Sequence, residues 1–260
     1  MPVIEMAHAV ACYQAVMDTL RRLDDAAARG PSLLPGWSRG HVVAHMARHA
    51  DGHLRMLEGV QRGATAQQYP GGAEGRAHEI HLAASQGADQ LLDDLRRSSE
   101  ALFAIWEDLP DELWDEPTRA LTAGERPARE LVRARWWELE FHHVDLDLGF
   151  TGDRWPRAFV HAALPRVLNG VPRRRAKAGA ATRWLVVSDD GAGTWLVEDD
   201  GAEATVHVAS PGDAADVCLT GPSWALLLWL MGRHPASDVP LAVVGAAETA
   251  ALLPDRFPYG

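Results

Sequence analysis

The sequence lacks the features of disulfide-stapled, cysteine-ligated and membrane-spanning proteins. Its 260 residues include only two cysteines, Cys12 and Cys218, which stand far apart in the chain. This excludes a disulfide framework and a cysteine-rich zinc site, and it suits a reducing compartment. The longest apolar run, 224–231, has eight residues, whereas a membrane span needs roughly 18–20. We therefore expect no membrane insertion.

Positive charge is also scarce. The chain has 25 Lys+Arg against 36 Asp+Glu, a formal net charge of −11. A field of that sign repels phosphate backbones and anionic lipid headgroups, so we expect neither nucleic acid nor a membrane as a partner. Residues 1–11 show no basic segment followed by an apolar run, so we expect no export signal and predict a cytoplasmic protein. Nothing in the sequence indicates the oligomeric state.

Histidine and tryptophan, in contrast, are abundant. The chain has 12 His and 10 Trp against 3 Tyr and 5 Phe. Hydrophobic residues make up 47% and charged residues 23%, as in ordinary globular proteins, so the tryptophans are expected in a core. The histidines are the candidates for chemistry, because imidazole titrates near neutral pH and is a common metal ligand.

Apolar periodicity predicts helices in the first 150 residues. Apolar residues recur at spacings of three and four, and Ser38 is a good N-cap for the second helix. The predicted helices cover 4–29, 40–61, 77–109 and 127–148, with a loop over 63–75. Long helices with few strand signals between them indicate an up-down four-helix bundle, which we assign to a domain over 1–152.

Beyond this domain, short β-type runs alternate with turn residues. Their spacing of about ten residues indicates an antiparallel meander. The predicted strands are 182–187, 194–198, 204–208 and 215–219, and helices are expected over 156–168 and 222–232, with a strand–helix pair over 241–253. We therefore predict a smaller C-terminal α+β domain over 153–260 that contains an antiparallel sheet.

The second predicted helix carries four histidines, each four residues after the one before. They are His41, His45, His49 and His53. This spacing places all four along one slowly drifting face of the helix. The spacing alone leaves open which of them binds a metal and which are surface residues.

The fourth predicted helix offers further metal ligands. Glu138 and His142 are four residues apart, so both project from one face and can hold one ion. Glu140 and His143 form an alternative pair at a spacing of three. Facing helices of a bundle commonly build metal sites in this way. Two histidines and one carboxylate leave an open coordination position, which is typical of a catalytic zinc.

Three segments resemble the mycothiol-dependent maleylpyruvate isomerase family, a branch of the DinB-like metalloenzymes. They are 35–47 (PGWSRGHVVAHMA), 138–146 (ELEFHHVDL) and 230–233 (LMGR). The resemblance spans most of the chain but is dense only in these segments. It implies a DinB-like four-helix bundle that holds a divalent metal, usually zinc, followed by a smaller α/β domain. It also implies mycothiol as the thiol cosubstrate.

Residue by residue, the resemblance implies three metal ligands and one arginine. The ligands are His45, Glu138 and His142, and the essential arginine is Arg233, whose role would be to bind a substrate carboxylate. Asp145, three residues after His142, is expected either to orient a ligand or to cap a neighbouring helix.

The choice of His45 leaves three other histidines in the stripe to be explained. His41 and His49, one helical turn to either side of it, are expected to support the site. His53 is expected on the surface.

The implied activity is cis–trans isomerisation of a maleylpyruvate-like substrate by reversible addition of a thiolate. Three other functions stay open. A mycothiol S-transferase of the same fold would keep the adduct with a small electrophile in detoxification or biosynthesis. A hydrolase would use Glu140 or His143 as its base. A binding or regulatory protein would hold a structural metal or none.

The expected partners are a low-molecular-weight thiol and a small anionic or electrophilic substrate. Because the chain is acidic, an anionic substrate needs local positive charge. Arg39, Arg135 and Arg233 are the candidates.

Overall fold

The computed structural model describes residues 2–122, 124–234 and 236–258, and these form two compact units. The first unit ends at Phe150 and the second begins at Thr151. The domain boundary predicted between residues 152 and 153 stays a prediction, since compactness does not show that either unit folds by itself. Among the described residues, no helix combines the length and apolarity that a membrane crossing requires.

The first unit is mainly helical. Its helices are α1 (Val3–Leu20), α2 (Asp25–Arg29), α3 (Arg39–Gln61), α4 (Gly72–Ala84), α5 (Ala88–Asp108) and α6 (Glu130–Asp145). Four of them form a bundle in which α3 packs against α5 and α6, and α1 packs against α6 and α5. The shorter α4 also packs on α3. Both the helical bundle and the overall fold class predicted from the sequence are confirmed.

Helix α3 lies at the centre of this unit. Small and branched residues such as Val43, Ala47 and Ala50 are buried along it, so neighbouring helices approach it on several sides. Its N-terminus is fixed as predicted, since the Ser38 hydroxyl accepts a hydrogen bond from the His41 amide. In a helix with so little exposed surface, the histidine stripe points into the protein.

Several predicted boundaries in this unit are wrong. The helix predicted over 4–29 breaks after α1, because Asp24 caps a new helix by accepting a hydrogen bond from the Ala27 amide at 2.8 Å. The helix predicted over 77–109 is likewise two helices, separated by extended backbone at Gly87. Its first part, α4, begins inside the segment predicted as a loop.

A short hairpin replaces the start of the fourth predicted helix. Strands β1 (Pro117–Ala120) and β2 (Gly124–Pro127) pair antiparallel, with Thr118 opposite Arg126. Pro127 therefore ends a strand instead of opening a helix, and α6 begins three residues later.

The second unit combines helices with one five-stranded sheet. Its helices are α7 (Arg157–Asn169), α8 (Ser223–Leu230) and α9 (Ala247–Arg256). Its strands are β3 (Thr182–Ser188), β4 (Thr194–Asp199), β5 (Ala204–Val208), β6 (Val217–Gly221) and β7 (Ala242–Val244), and their order across the sheet is β5-β4-β3-β6-β7.

The sheet is mixed, which corrects the predicted meander in one respect. Strands β3, β4 and β5 pair antiparallel as predicted. Strand β6 instead pairs in parallel with β3, with Leu185 opposite Cys218. Since Trp184, Leu185 and Val186 are all buried, β3 is an interior strand that needs a neighbour at each edge. Strand β6 fills the second edge.

Candidate metal centre

The histidine stripe of α3 is mostly buried. His45, His49 and His53 are 4%, 5% and 2% exposed, so the prediction that His53 lies on the surface is wrong. The ring of His53 packs against that of His49, with ring centroids 4.0 Å apart. His41, at the start of the helix, instead bonds back to Ser38 through its Nδ1 atom. It serves as part of the helix cap.

Helix α6 brings Glu138 and His142 to this stripe. One carboxylate oxygen, Glu138 Oε2, lies 2.9 Å from His142 Nε2 and 3.3 Å from His45 Nε2. The three ligand atoms of these residues all lie within 4.8 Å of one another. Of the four stripe histidines, His45 is therefore the one whose Nε2 atom converges with both candidate ligands of α6.

The second carboxylate oxygen has its own neighbour. Glu138 Oε1 lies 3.4 Å from His49 Nε2, so three imidazoles surround this one carboxylate. His142 is held from its other side, because its Nδ1 atom lies 2.9 Å from Asp145 Oδ2 and Asp145 is fully buried. Asp145 was expected either to orient a ligand or to cap a helix. In the structure its carboxylate orients His142, as partners of metal-ligating histidines commonly do.

The alternative pair on α6 points elsewhere. Glu140 accepts a hydrogen bond from the Trp136 indole at 2.8 Å. His143 Nε2 lies 2.7 Å from the Thr19 hydroxyl of α1, and its ring stacks on Phe150 with centroids 3.7 Å apart. The contact of His143 with Thr19 joins α6 to α1. All of these contacts keep Glu140 and His143 out of the cluster of His45, Glu138 and His142, which is the only such group that the described residues form.

The charges of the cluster differ from residue to residue. Burial lowers the pKa of His45 to about 4, and the positive charge of His142 acts in the same direction. Burial also acts to lower the pKa of His142, but hydrogen bonds to Asp145 and Glu138 outweigh it and raise that pKa to about 9. The surrounding imidazoles hold the pKa of the Glu138 carboxyl well below its ordinary value, although partial burial acts to raise it. With these pKa values, His142 is the cationic imidazole of the metal-free cluster at neutral pH and His45 is neutral.

One arginine reaches the cluster, and no pattern in the sequence pointed to it. Arg76 of α4 places its Nη2 atom 3.2 Å from His45 Nδ1. The Trp37 ring packs edge-on against the same imidazole, with centroids 5.6 Å apart. Residue 76 falls between the predicted loop and the predicted third helix, so periodicity assigned it to no element and to no face.

Two of the arginines proposed to offset the acidic charge hold the first unit together instead. Arg135 is fully buried and donates to the Met46 carbonyl and the Ser99 hydroxyl, which ties α6 to α3 and α5. Arg39 donates to the carbonyls of Leu146 and Asp147. The donors named here are engaged by the fold, and Arg135 has no exposed surface. This arrangement gives no support to the prediction that either arginine meets a substrate.

The predicted essential arginine lies in the second unit. Arg233 follows α8 and donates from Nη1 to the Met231 carbonyl at 2.9 Å. Gly232, with φ +67°, adopts the left-handed conformation that commonly ends a helix before this residue. Its role toward a carboxylate stays a prediction.

The fold and the cluster together define a class: a helical-bundle protein with a candidate metal centre between two of its helices, followed by an α/β unit. The family model described as the mycothiol maleylpyruvate isomerase N-terminal domain matches residues 10–147, more than half of the chain. The chain therefore belongs to this family, and membership classes it among isomerase enzymes.

Solved structures agree with this assignment at the level of the fold. Two crystal structures of the mycothiol-dependent maleylpyruvate isomerase, one of them of a histidine-to-alanine mutant, superpose with a TM-score of 0.77. Each is 20% identical in sequence and covers 93% of this chain and 93% of its own. No curated protein sequence matches the chain.

Proposed function

We propose that this protein is a metal- and thiol-dependent cis–trans isomerase that converts a maleylpyruvate-like acid to its fumaryl isomer, with mycothiol as the thiol. The observation that carries the proposal is the convergence of His45 Nε2, Glu138 Oε2 and His142 Nε2 in a chain of this family. We also propose that it acts in the cytoplasm, where low-molecular-weight thiols stay reduced.

The donor set fits a divalent metal of the zinc type. Two imidazole nitrogens and one carboxylate oxygen lie close enough to hold one ion, and such a set leaves a further coordination position open. A divalent ion there would supply the positive charge that keeps a thiol deprotonated at neutral pH. Asp145 fixes the ring of His142, and His49 fixes the free oxygen of Glu138.

Isomerisation requires the alkene double bond of the substrate to become a single bond transiently, because only a single bond rotates freely. The thiolate sulfur forms a bond to one alkene carbon, and the π electron pair moves through the conjugated carbonyl to its oxygen. Rotation about the new single bond follows. The enolate then re-forms the double bond and expels the thiolate, so the thiol is regenerated and no atom is gained or lost. We propose that Arg233 supplies a cation to the substrate during these steps.

The test is to incubate the metal-loaded protein with maleylpyruvate, with and without mycothiol, and to follow the ultraviolet spectrum. We expect isomerisation only when the thiol is present, and its loss in Glu138→Ala. His78→Ala, an exposed histidine of α4, is the matched control and should remain active. Isomerisation without any thiol would contradict the proposal. A stable thiol adduct with no isomer would replace it with the S-transferase.

A further inference from the structure

Arg76 places a cation next to the cluster. Its guanidinium touches His45 Nδ1 at 3.2 Å and lies 6.0 Å from the centre of the Tyr69 ring. Within the part of the chain that the structure describes, no carboxylate oxygen lies within 4.0 Å of it. A guanidinium has five donors in a planar fork, and a neutral imidazole nitrogen uses only one of them.

Tyr69 supplies a second observation at the same place. Its side chain is 3% exposed, and its hydroxyl makes no hydrogen bond of ordinary geometry to any described residue. A buried hydroxyl without a hydrogen-bond partner destabilises the folded state, so such groups commonly face a ligand. Burial raises the pKa of Tyr69, whereas the charge of Arg76 and the contact of its guanidinium with the hydroxyl act to lower it. The two groups are neighbours, since the guanidinium lies 6.0 Å from the ring centre.

The contact between Arg76 and His45 depends on which ring nitrogen carries the hydrogen. Arginine only donates, so His45 Nδ1 must accept, and the hydrogen then sits on Nε2, which faces Glu138. A metal ligand needs its lone pair on Nε2 instead, which moves the hydrogen to Nδ1. Arg76 can no longer donate there. Its donors then become available beside the cluster when the cluster holds an ion.

We propose that Arg76 and Tyr69 form an anion-binding subsite beside the metal cluster, and that it takes a carboxylate of the substrate. The guanidinium fork matches a carboxylate in a bidentate geometry, and the Tyr69 hydroxyl donates one further hydrogen bond. The subsite rests on the proposed function for the identity of its ligand. The chain has a net charge of −11, so an anionic substrate needs local positive charge, and Arg76 provides it within the first unit.

The test measures binding of maleate, an unreactive dicarboxylate, to the metal-loaded protein by calorimetry. We expect Arg76→Met and Tyr69→Phe to retain the metal and to raise the Kd for maleate, the first by roughly 10–100-fold. Arg76→Lys should fall between wild type and Arg76→Met, because it keeps the charge and loses the fork. Arg62→Met, at the exposed end of α3, is the matched control and should bind maleate as wild type does.

The outcomes separate the subsite from the isomerase itself. If maleate binding depends on Arg76 while no substrate is isomerised, the subsite stands and the proposed function fails. If wild type and Arg76→Met bind maleate equally, or if wild type does not bind it, the subsite is overturned. Should Arg76→Met not fold, Tyr69→Phe and Arg76→Lys carry the same comparison. In active protein, we expect Arg76→Lys to raise KM more than it lowers kcat.

Removing the metal provides a further readout that does not need activity. We expect maleate to bind the metal-free protein several-fold more weakly, because Arg76 then returns to His45. Equal affinity with and without the metal would overturn the coupling between His45 and the subsite.

Discussion

Glu138 is the residue on which the geometry of the centre depends. One of its oxygens meets His45 and His142, and the other meets His49. A carboxylate fixed at both oxygens can present only one of them to an ion. The contact with His49 is therefore the feature that sets which oxygen faces His45 and His142.

Replacing His49 tests this directly. We expect His49→Phe to keep the fold and to weaken metal binding by about 10-fold or more, as loss of an orienting partner commonly does. The measurement is competition for zinc against a chromophoric chelator. His78→Ala is again the matched control. Unchanged zinc affinity in His49→Phe would show that Glu138 needs no such support.

The pH dependence of metal binding follows from His142. In the metal-free protein its pKa is raised to about 9, whereas that of His45 is lowered to about 4. An ion binds only neutral imidazole, so between pH 6 and pH 8 it must displace the proton of His142. We expect the apparent affinity to rise about tenfold per pH unit in this window and to level off near the pKa of His142, with about one proton released per ion.

Calorimetry in buffers of different ionisation enthalpy counts that proton. Asp145→Asn removes the main group that raises the pKa of His142, so we expect less proton release at neutral pH in this variant. A pH-independent affinity, or equal proton release in both proteins, would refute the assignment.

At the scale of elements, the turn after β3 holds the start of α8. Asp190 accepts hydrogen bonds from the Ser223 hydroxyl at 2.6 Å and from the Ser223 amide at 3.2 Å. Burial acts to raise the pKa of Asp190, but these bonds and one from Ser188 lower it from 3.8 to about 2. The folded-state value lies below the unfolded one. The stabilisation is therefore present above about pH 4 and is lost as the pH falls through about 2.

Asp190→Ala should accordingly lower the free energy of unfolding by about 1–2 kcal/mol at pH 7, the usual effect of losing a helix N-terminal acceptor. Urea denaturation measures it. Asp189→Ala, an exposed neighbour in the same turn, is the matched control and should have little effect. Equal effects of the two substitutions, or a difference that persists below pH 2, would contradict this account.

The sequence predicted those elements whose signals are local. Helix α3 begins where Ser38 predicts, because an N-cap acts on the three residues that follow it. The sequence did not predict the hairpin of β1 and β2, because a strand of four residues is too short to show the alternation of polar and apolar residues. No local pattern predicts the parallel pairing of β3 with β6 either, because it depends on which strand has a neighbouring strand at both of its edges.

The candidate centre could be predicted only in part for a similar reason. The four-residue spacing of Glu138 and His142 is a property of one helix and could be read directly. The choice of His45 from the stripe came from a family resemblance, because it depends on how α3 is rotated toward α6. The spacing of three between His142 and Asp145 is local as well, and it indicated that Asp145 could orient a ligand. The contact of Arg76 with His45 requires the packed helices, so no local pattern reveals it.

At the scale of the whole molecule, a bound ion would join two helices that are distant in sequence. His45 belongs to α3, and Glu138 and His142 belong to α6. An ion that binds only the folded chain stabilises it by about 2.7 kcal/mol when its concentration is 100 times its Kd. We therefore expect a chelator to lower the melting temperature of wild type. It should not change that of His142→Ala, and a shift of equal size in this variant would place the ion elsewhere.

We propose that one divalent ion binds among His45, Glu138 and His142 of the bundle. Metal analysis of purified wild type, with His45→Ala, Glu138→Ala and His142→Ala prepared in parallel, measures this. We expect about one divalent ion per chain in wild type and a clear loss in each variant. Full metal occupancy in all three variants, or none in wild type after loading with zinc, would contradict it.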